Sequence, residues 1–192
     1  MTKSHLTKNN YQHHTCTMNL WHDIKPGSAD ALNVIIEIPK LSRVKYEVDK
    51  DTGLISFDRV LYSPMHFPAN YGFVPQTLWD DGDPLDVLVM GHEPLVPGCL
   101  VEVRAIGVLD MIDSGEGDAK ILAVPTKDPR FANTKDIKDL EPHLLAEIEH
   151  FYRVYKDLQK KVVEVKGWKG AADAASAITK SIEIYQKKYP KT

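Results

Sequence analysis

The sequence predicts an α+β fold in which a small closed β-barrel comes first and two C-terminal helices flank it. Two observations carry this reading. Short strand-like runs broken by Gly, Pro and Asp clusters fill the first two thirds, and the hydrophobic period changes in the last third. Several short strands with tight turns favour closure, because a barrel leaves no sheet edge exposed.

The first run, Asn33 to Ile38, is apolar after Asn33 except for Glu37 and stops at Pro39, which has no N–H to offer a ladder. Arg43–Val48 alternates, with Arg43, Lys45 and Glu47 on one face and Val44, Tyr46 and Val48 on the other. The turn Asp49–Gly53 connects it to Leu54–Val60, so the pair reads as a hairpin. Strands follow at Asp86–Met90, Leu100–Leu109 and Ala119–Val124. Leu144, Ile148, Phe151, Tyr155 and Leu158 then step by four and three, which predicts an amphipathic helix over 141–160. Ala171, Ala174, Ala175, Ile178, Ile182 and Tyr185 repeat that spacing in a second helix.

With 192 residues the chain is long enough for one domain with a substantial core. A hydrophobic share of 43% and a charged share of 27% place it among soluble globular proteins. A net charge of -3 argues against nucleic-acid binding by phosphate neutralisation. Cys16 and Cys99 form no CxxC pair and no disulfide framework, which fits a reducing cytoplasm. No apolar run has membrane-spanning length. Residues 1–17 are polar and lack the apolar centre of a secretory signal. They read as a disordered extension, with His13, His14 and Cys16 in a polar tail rather than a metal site, and residues 18–192 as a single domain.

The run Asp81-Gly82-Asp83-Pro84-Leu85-Asp86 carries the most chemical information. Three carboxylates stand at the mouth of the apolar strand Val87-Leu88-Val89-Met90, and Gly82 and Pro84 free them from strict strand alternation. They can therefore converge, and like charges that close call for a cation between them. An all-oxygen set points to a hard ion, magnesium before zinc. An EF-hand loop starting at Asp81 would need Gly at its sixth position and Glu at its twelfth, where this chain has Asp86 and His92.

Further charges occupy strand positions where burial would be costly: Glu37, Lys45, Glu47, Arg59, Asp113, Asp118 and Lys120, with Lys156 on the first long helix. Each alone describes a solvated strand or helix face before it describes a site. Together they make seven acids and four bases, a set that divalent ions plus a multiply charged phosphate would neutralise at once.

The strings IEIP (36–39), KYEVD (45–49), DRV (58–60), PANYGF (68–73), DGDPLDVLV (81–89), GDAK (117–120), AVP (123–125), HFYRVYKDL (150–158) and GW (167–168) resemble the family I soluble inorganic pyrophosphatases of bacteria. They run in family order over roughly residues 20 to 190. The resemblance implies a distorted five-stranded OB-like barrel with flanking helices, hydrolysis of pyrophosphate to two phosphates, and a cytoplasmic homohexamer. It implies Mg2+ as cofactor, with Mn2+ or Zn2+ as substitutes and Ca2+ inhibitory. It further implies that Asp81, Asp86 and Asp118 ligate the activating metals and that Asp113 joins Asp118 at a further one. By the same resemblance Glu37 acts mostly through water, Asp83 is the general base, and Lys45, Arg59, Lys120, Tyr155 and Lys156 grip the phosphoryl groups. Tyr71, grouped with the substrate-binding residues, and Glu47 act from beside the metals. Two positions depart from the pattern: Phe67 stands where relatives often carry Tyr, and Ser114 where many carry Glu.

Three other readings compete. An OB-like binding module would use a basic groove with stacking aromatics, yet aromatics make up only 8% of the chain. A different magnesium-dependent phosphohydrolase acting on nucleotides would bring a nucleotide motif, and the Walker A pattern is absent. A degenerate structural relative would have lost key acids or lysines, and none of these positions has.

Overall fold

The computed structural model describes residues 18–190. The expected N-terminal extension, with His13, His14 and Cys16, lies outside them. The described residues form β1 (Gly27–Ser28), β2 (Ala31–Ile38), β3 (Val44–Val48), β4 (Ile55–Val60), β5 (Asn70–Phe73), β6 (Asp86–Val89), β7 (Leu100–Asp113), β8 (Glu116–Gly117), β9 (Lys120–Pro125), α1 (Pro142–Val154), β10 (Val163–Gly170) and α2 (Ala171–Lys188).

Strands β3 and β4 form the expected hairpin, and the other strands make one sheet. In that sheet β2 pairs with β5, β5 with β6, β6 with β9, β9 with β7, and β7 back with β2. The pairing path thus returns to its first strand. All these pairs are antiparallel except β6–β9, which is parallel and places Asp86 opposite Lys120. A parallel pair needs a long connection, and here the 14-residue β7 lies within it.

Bulges let the strands serve two cores. Along β7, Val103 and Ala105 face one apolar cluster and Ile106 the other, and beyond the irregularity at Ala105/Gly107 the alternation is reset: Val108 joins the first, Leu109 and Met111 the second. One extra residue reverses the facing of everything after it. The same happens in β2, where Ile36 and Ile38 would share a face but belong to different clusters across the shift at Ile36/Ile38. Glu37 stands at that bulge. One cluster takes Ile148, Phe151 and Tyr152 from α1, and the other takes Ala174 and Ile178 from α2.

Several boundaries differ from the sequence expectation. The first helix is Pro142–Val154 rather than 141–160; Pro142 opens it and the Glu141 side chain accepts the His143 N–H at 3.2 Å. Tyr155 closes it, a 3-10 turn follows at Asp157–Gln159, and Lys160 adopts a left-handed φ of 55°. Lys156 therefore follows the helix instead of riding on it, and Leu158 is exposed. Strand β9 begins at Lys120, so Asp118 precedes it. Strands β5 and β10 had no counterpart in the sequence reading. Strand β5 has only four residues, all buried, so no alternation marks it. Strand β10 is interrupted by Gly167 at a shift in its pairing with β7.

Gly72 in β5 is fixed by proximity: a Cβ there would lie 1.9 Å from the Ile35 carbonyl oxygen of β2. Gly98 has open space around it but a φ of +84°. Gly72→Ala should therefore cost about 3 kcal/mol or more in urea unfolding, by forcing β5 off β2. Gly98→Ala should cost about 1 kcal/mol, the strain of a left-handed alanine alone. Equal costs would show that the β2–β5 approach is looser than described.

Candidate active site

Twelve of the thirteen residues singled out in the sequence line one cavity of about 260 Å³; Arg59 is the exception. Glu37 enters from the β2 bulge and Lys45 and Glu47 from β3. Tyr71 comes from β5, Asp86 from the first residue of β6 and Asp113 from the last of β7. Asp118 and Lys120 stand at the start of β9, and Tyr155 and Lys156 leave the end of α1. Asp86, Asp113, Asp118 and Lys120 thus enter at strand ends, while Lys45 and Glu47 reach the cavity from within β3 and Tyr71 from within β5.

The Asp81–Asp86 loop owes its shape to local hydrogen bonds. The Asp81 carboxylate accepts the Asp83 N–H at 3.0 Å, and Trp79 N–H donates to the Asp83 carbonyl at 2.7 Å. Gly82 takes a φ of +85°, which an L side chain resists. On the opposite wall Glu37 accepts the Val48 N–H at 2.7 Å and so ties the separate β3–β4 hairpin to the sheet. At the end of β7 the Ser114 hydroxyl donates to Asp113 at 2.9 Å, so this departure from the family pattern still engages the acid it follows.

Lysines are drawn in among the carboxylates. The Lys120 side chain, 3% exposed, donates to Asp86 at 2.7 Å and to Asp118 at 2.9 Å. Lys156 pairs with Asp113, Lys45 with Glu47, and Lys50 with Asp83. Among the described residues no three His, Cys, Asp or Glu side chains already meet at one ion position. The sequence expectation that Asp81, Asp83 and Asp86 converge on one point is thus met only at the level of a shared cavity. Asp83 faces Lys50, Asp86 faces Lys120, and electrostatics gives the reason: each carboxylate takes the nearest positive charge.

Lys50 was missed in the sequence, although it directly follows KYEVD. Its ammonium lies 5.6 Å from the ring of Trp21, another cavity wall that no motif signalled. Asp58 was also missed, within the DRV string. It accepts from Arg59 and lies 3.2 Å from Lys45 Nζ, so it links Arg59 to the cavity wall. The Arg59 Nε is buried and unpartnered among the described residues.

Burial and crowding set the titration. Burial pushes Glu37 up to about 8, with the Asp86 charge adding to it and the Val48 amide opposing. Burial likewise lifts Asp81 to about 6, and raises Asp86 despite the adjacent Lys120. Burial also opposes the Lys120 charge, but Asp118 and Asp86 outweigh it and keep its ammonium protonated well above the usual lysine range. At Asp113 burial is outweighed by the Lys156 ammonium, which holds the carboxyl below its ordinary value.

Seven carboxylates face four lysines across this wall, an excess of negative charge carried on oxygen alone. That donor set fits hard divalent cations, and raised carboxyl pKa values are what such cations would relieve. A carboxyl whose folded pKa is raised contributes stability that is fully present below its unfolded value, here 4.5, and lost as pH rises through about 8. In EDTA the melting temperature of the wild type should therefore fall between pH 5 and 8, and that of Glu37→Gln should fall less. Parallel curves would mean that Glu37 ionises without cost.

The model of a family described as Inorganic pyrophosphatase matches residues 34–186. A soluble inorganic pyrophosphatase of Oryza sativa subsp. indica is 50% identical over 167 residues, 86% of this chain and 78% of that protein. An inorganic pyrophosphatase of a Nostoc strain is 50% identical over 162 residues, covering 84% of this chain and 94% of its own. Among solved structures, inorganic pyrophosphatase from Thermus thermophilus superposes with a TM-score of 0.84 at 40% identity, covering 88% of this chain and 99% of that one. The Helicobacter pylori enzyme gives 0.82 at 45% identity, with 85% and 98% covered. Relatives thus come from plants as well as bacteria.

Proposed function

The chain belongs to the family I soluble inorganic pyrophosphatases, and on that premise we propose how its residues divide the hydrolysis of pyrophosphate into two orthophosphates. The observation that carries the proposal is the meeting of twelve motif residues on one cavity with more acid than base. The five strands whose pairing path closes are read as the distorted OB-like barrel of the family. Residues 18–192 are read as one domain.

Asp81, Asp86 and Asp118 would hold the activating divalent ions, with Asp113 joining Asp118 and Glu37 contributing through water. Magnesium is the ion proposed, with manganese or zinc as substitutes. When bound, it supplies Lewis acidity that brings the attacking water toward neutral pKa and offsets phosphoryl charge. Asp83 takes the proton from that water as its oxygen attacks one phosphorus. The bridging P–O bond breaks and its electron pair leaves with the second phosphate. Lys45, Arg59, Lys120, Lys156 and Tyr155 hold the phosphoryl oxygens, so the leaving charge is met by groups already in place. Tyr71 and Glu47 border this array.

Each of the three lysines among these now holds a carboxylate inside the site. Exchange of that carboxylate for a phosphoryl oxygen costs little reorganisation, because both partners are anionic oxygens. Lys50 must likewise release Asp83 before the base can act.

A homohexamer in the cytoplasm is part of the same proposal. No helix of the described residues is long and apolar enough to cross a membrane. Exposed Leu54, Phe57 and Tyr62 on and beside the hairpin offer apolar surface that an assembly would cover.

Phosphate release should be fast with magnesium and pyrophosphate, absent in EDTA, very slow when ATP replaces pyrophosphate, and suppressed when calcium replaces magnesium. Asp83→Asn, folded by circular dichroism, should lower kcat by about 10²–10⁴-fold, the usual worth of a general base. A variant with wild-type kcat would remove Asp83 from that role. Comparable rates with ATP would favour the nucleotide phosphohydrolase.

A further inference from the structure

The inward stripe of α1 does more than fill the core. Tyr152, 1% exposed, sits with its ring centroid 5.3 Å from Lys120 Nζ. The Tyr71 ring stands 5.4 Å from the same ammonium. One turn on, Tyr155 presents its ring at 5.3 Å to Lys156 Nζ. Helix α1 and the Tyr155 that caps it therefore supply one aromatic ring each to Lys120 and Lys156.

The Tyr152 ring is itself immobilised. It packs edge-on against Phe151 at 5.1 Å and against Tyr155 at 5.5 Å. Its hydroxyl is buried and has no hydrogen-bond partner among the described residues. A buried phenol without a partner is worse than phenylalanine by the cost of desolvating the hydroxyl. Among the described residues the contacts of this position are made by the ring and not by the hydroxyl.

Lys120 needs such a ring. Its charge is buried, and its two carboxylate partners, Asp86 and Asp118, are residues proposed above for cations. When those carboxylates are committed elsewhere, the ring faces remain as favourable surroundings for the ammonium, because the face of an aromatic ring is electron-rich.

We propose that Tyr152 is a positioning residue that, with Tyr71, holds the buried Lys120 ammonium on target for the phosphoryl group through its ring face. This rests on the reading of Lys120 as a phosphoryl-binding residue. Cation–ring attraction in a desolvated site corresponds to a change between about twofold and about 30-fold in binding.

The test replaces Tyr152 with phenylalanine and then with phenylalanines of increasing fluorination, which drain the ring face while nearly keeping its shape. KM and kcat for pyrophosphate are measured with magnesium, beside the melting temperature. Tyr152→Phe should keep KM within about twofold of wild type and melt no lower, since no hydrogen bond is lost. KM should then rise stepwise with fluorination while kcat and the melting temperature hold. A flat KM across the series would overturn the proposal, as would an immediate loss in Tyr152→Phe, which would assign the role to the hydroxyl. Lys120→Met separates this from the reading beneath it. If that variant raises KM while the series is flat, only the role of Tyr152 fails. If it leaves KM unchanged, Lys120 does not grip substrate and both readings fall.

Discussion

A lysine buried between two aspartates is the constraint around which this site is organised. Lys120 reaches Asp86 and Asp118 within the space where the parallel strands β6 and β9 begin. Charges taken out of water at this depth are tolerated only with partners in good geometry. The register that sets Asp86 opposite Lys120 supplies one partner, and the turn before β9 supplies the other. A slip of either strand by one residue would exchange these side chains with those of the opposite core. The two strands are therefore held by the chemistry at their ends as well as by their apolar middles.

Irregularities elsewhere in the fold deliver the remaining groups. The β2 bulge frees Glu37 from the apolar run around it, and its carboxylate fastens the β3–β4 hairpin through Val48. Lys45, Glu47 and Lys50 reach the cavity on that hairpin, which shares no strand pairing with the main sheet. Departure from helical geometry after Tyr155 brings Lys156 to Asp113. Where regular structure would have forced alternation or continued a turn, the chain breaks the pattern and a charged side chain enters the site.

The sequence made much of this legible. The DGDPLD run could be read as a convergent acidic loop because Gly82 and Pro84 announce a turn and the apolar residues after them announce a strand. The hairpin showed itself through clean alternation at Arg43–Val48. Strand β5 did not, because four wholly buried residues have no polar face to mark a period. Helix α1 ends before its spacing predicts: Tyr155 and Leu158 continue the period, although the first serves the site and the second faces solvent. Lys50 escaped notice since a lysine beside a turn is ordinarily solvated, and only the fold brings it to Asp83. Tyr152 stands outside the stripe Leu144, Ile148, Phe151, Tyr155 and Leu158, and periodicity is in any case silent on what a buried ring faces.

The account holds that Lys120 draws on the same carboxylate oxygens of Asp86 and Asp118 that are proposed for divalent cations, so ammonium and metal compete for them. Calorimetric titration of magnesium into wild type and Lys120→Met, without substrate, tests this most directly. Removal of the competing ammonium should tighten magnesium binding several-fold while the number of sites stays the same. Weaker binding in the variant, or no magnesium binding by the folded wild type, would contradict it.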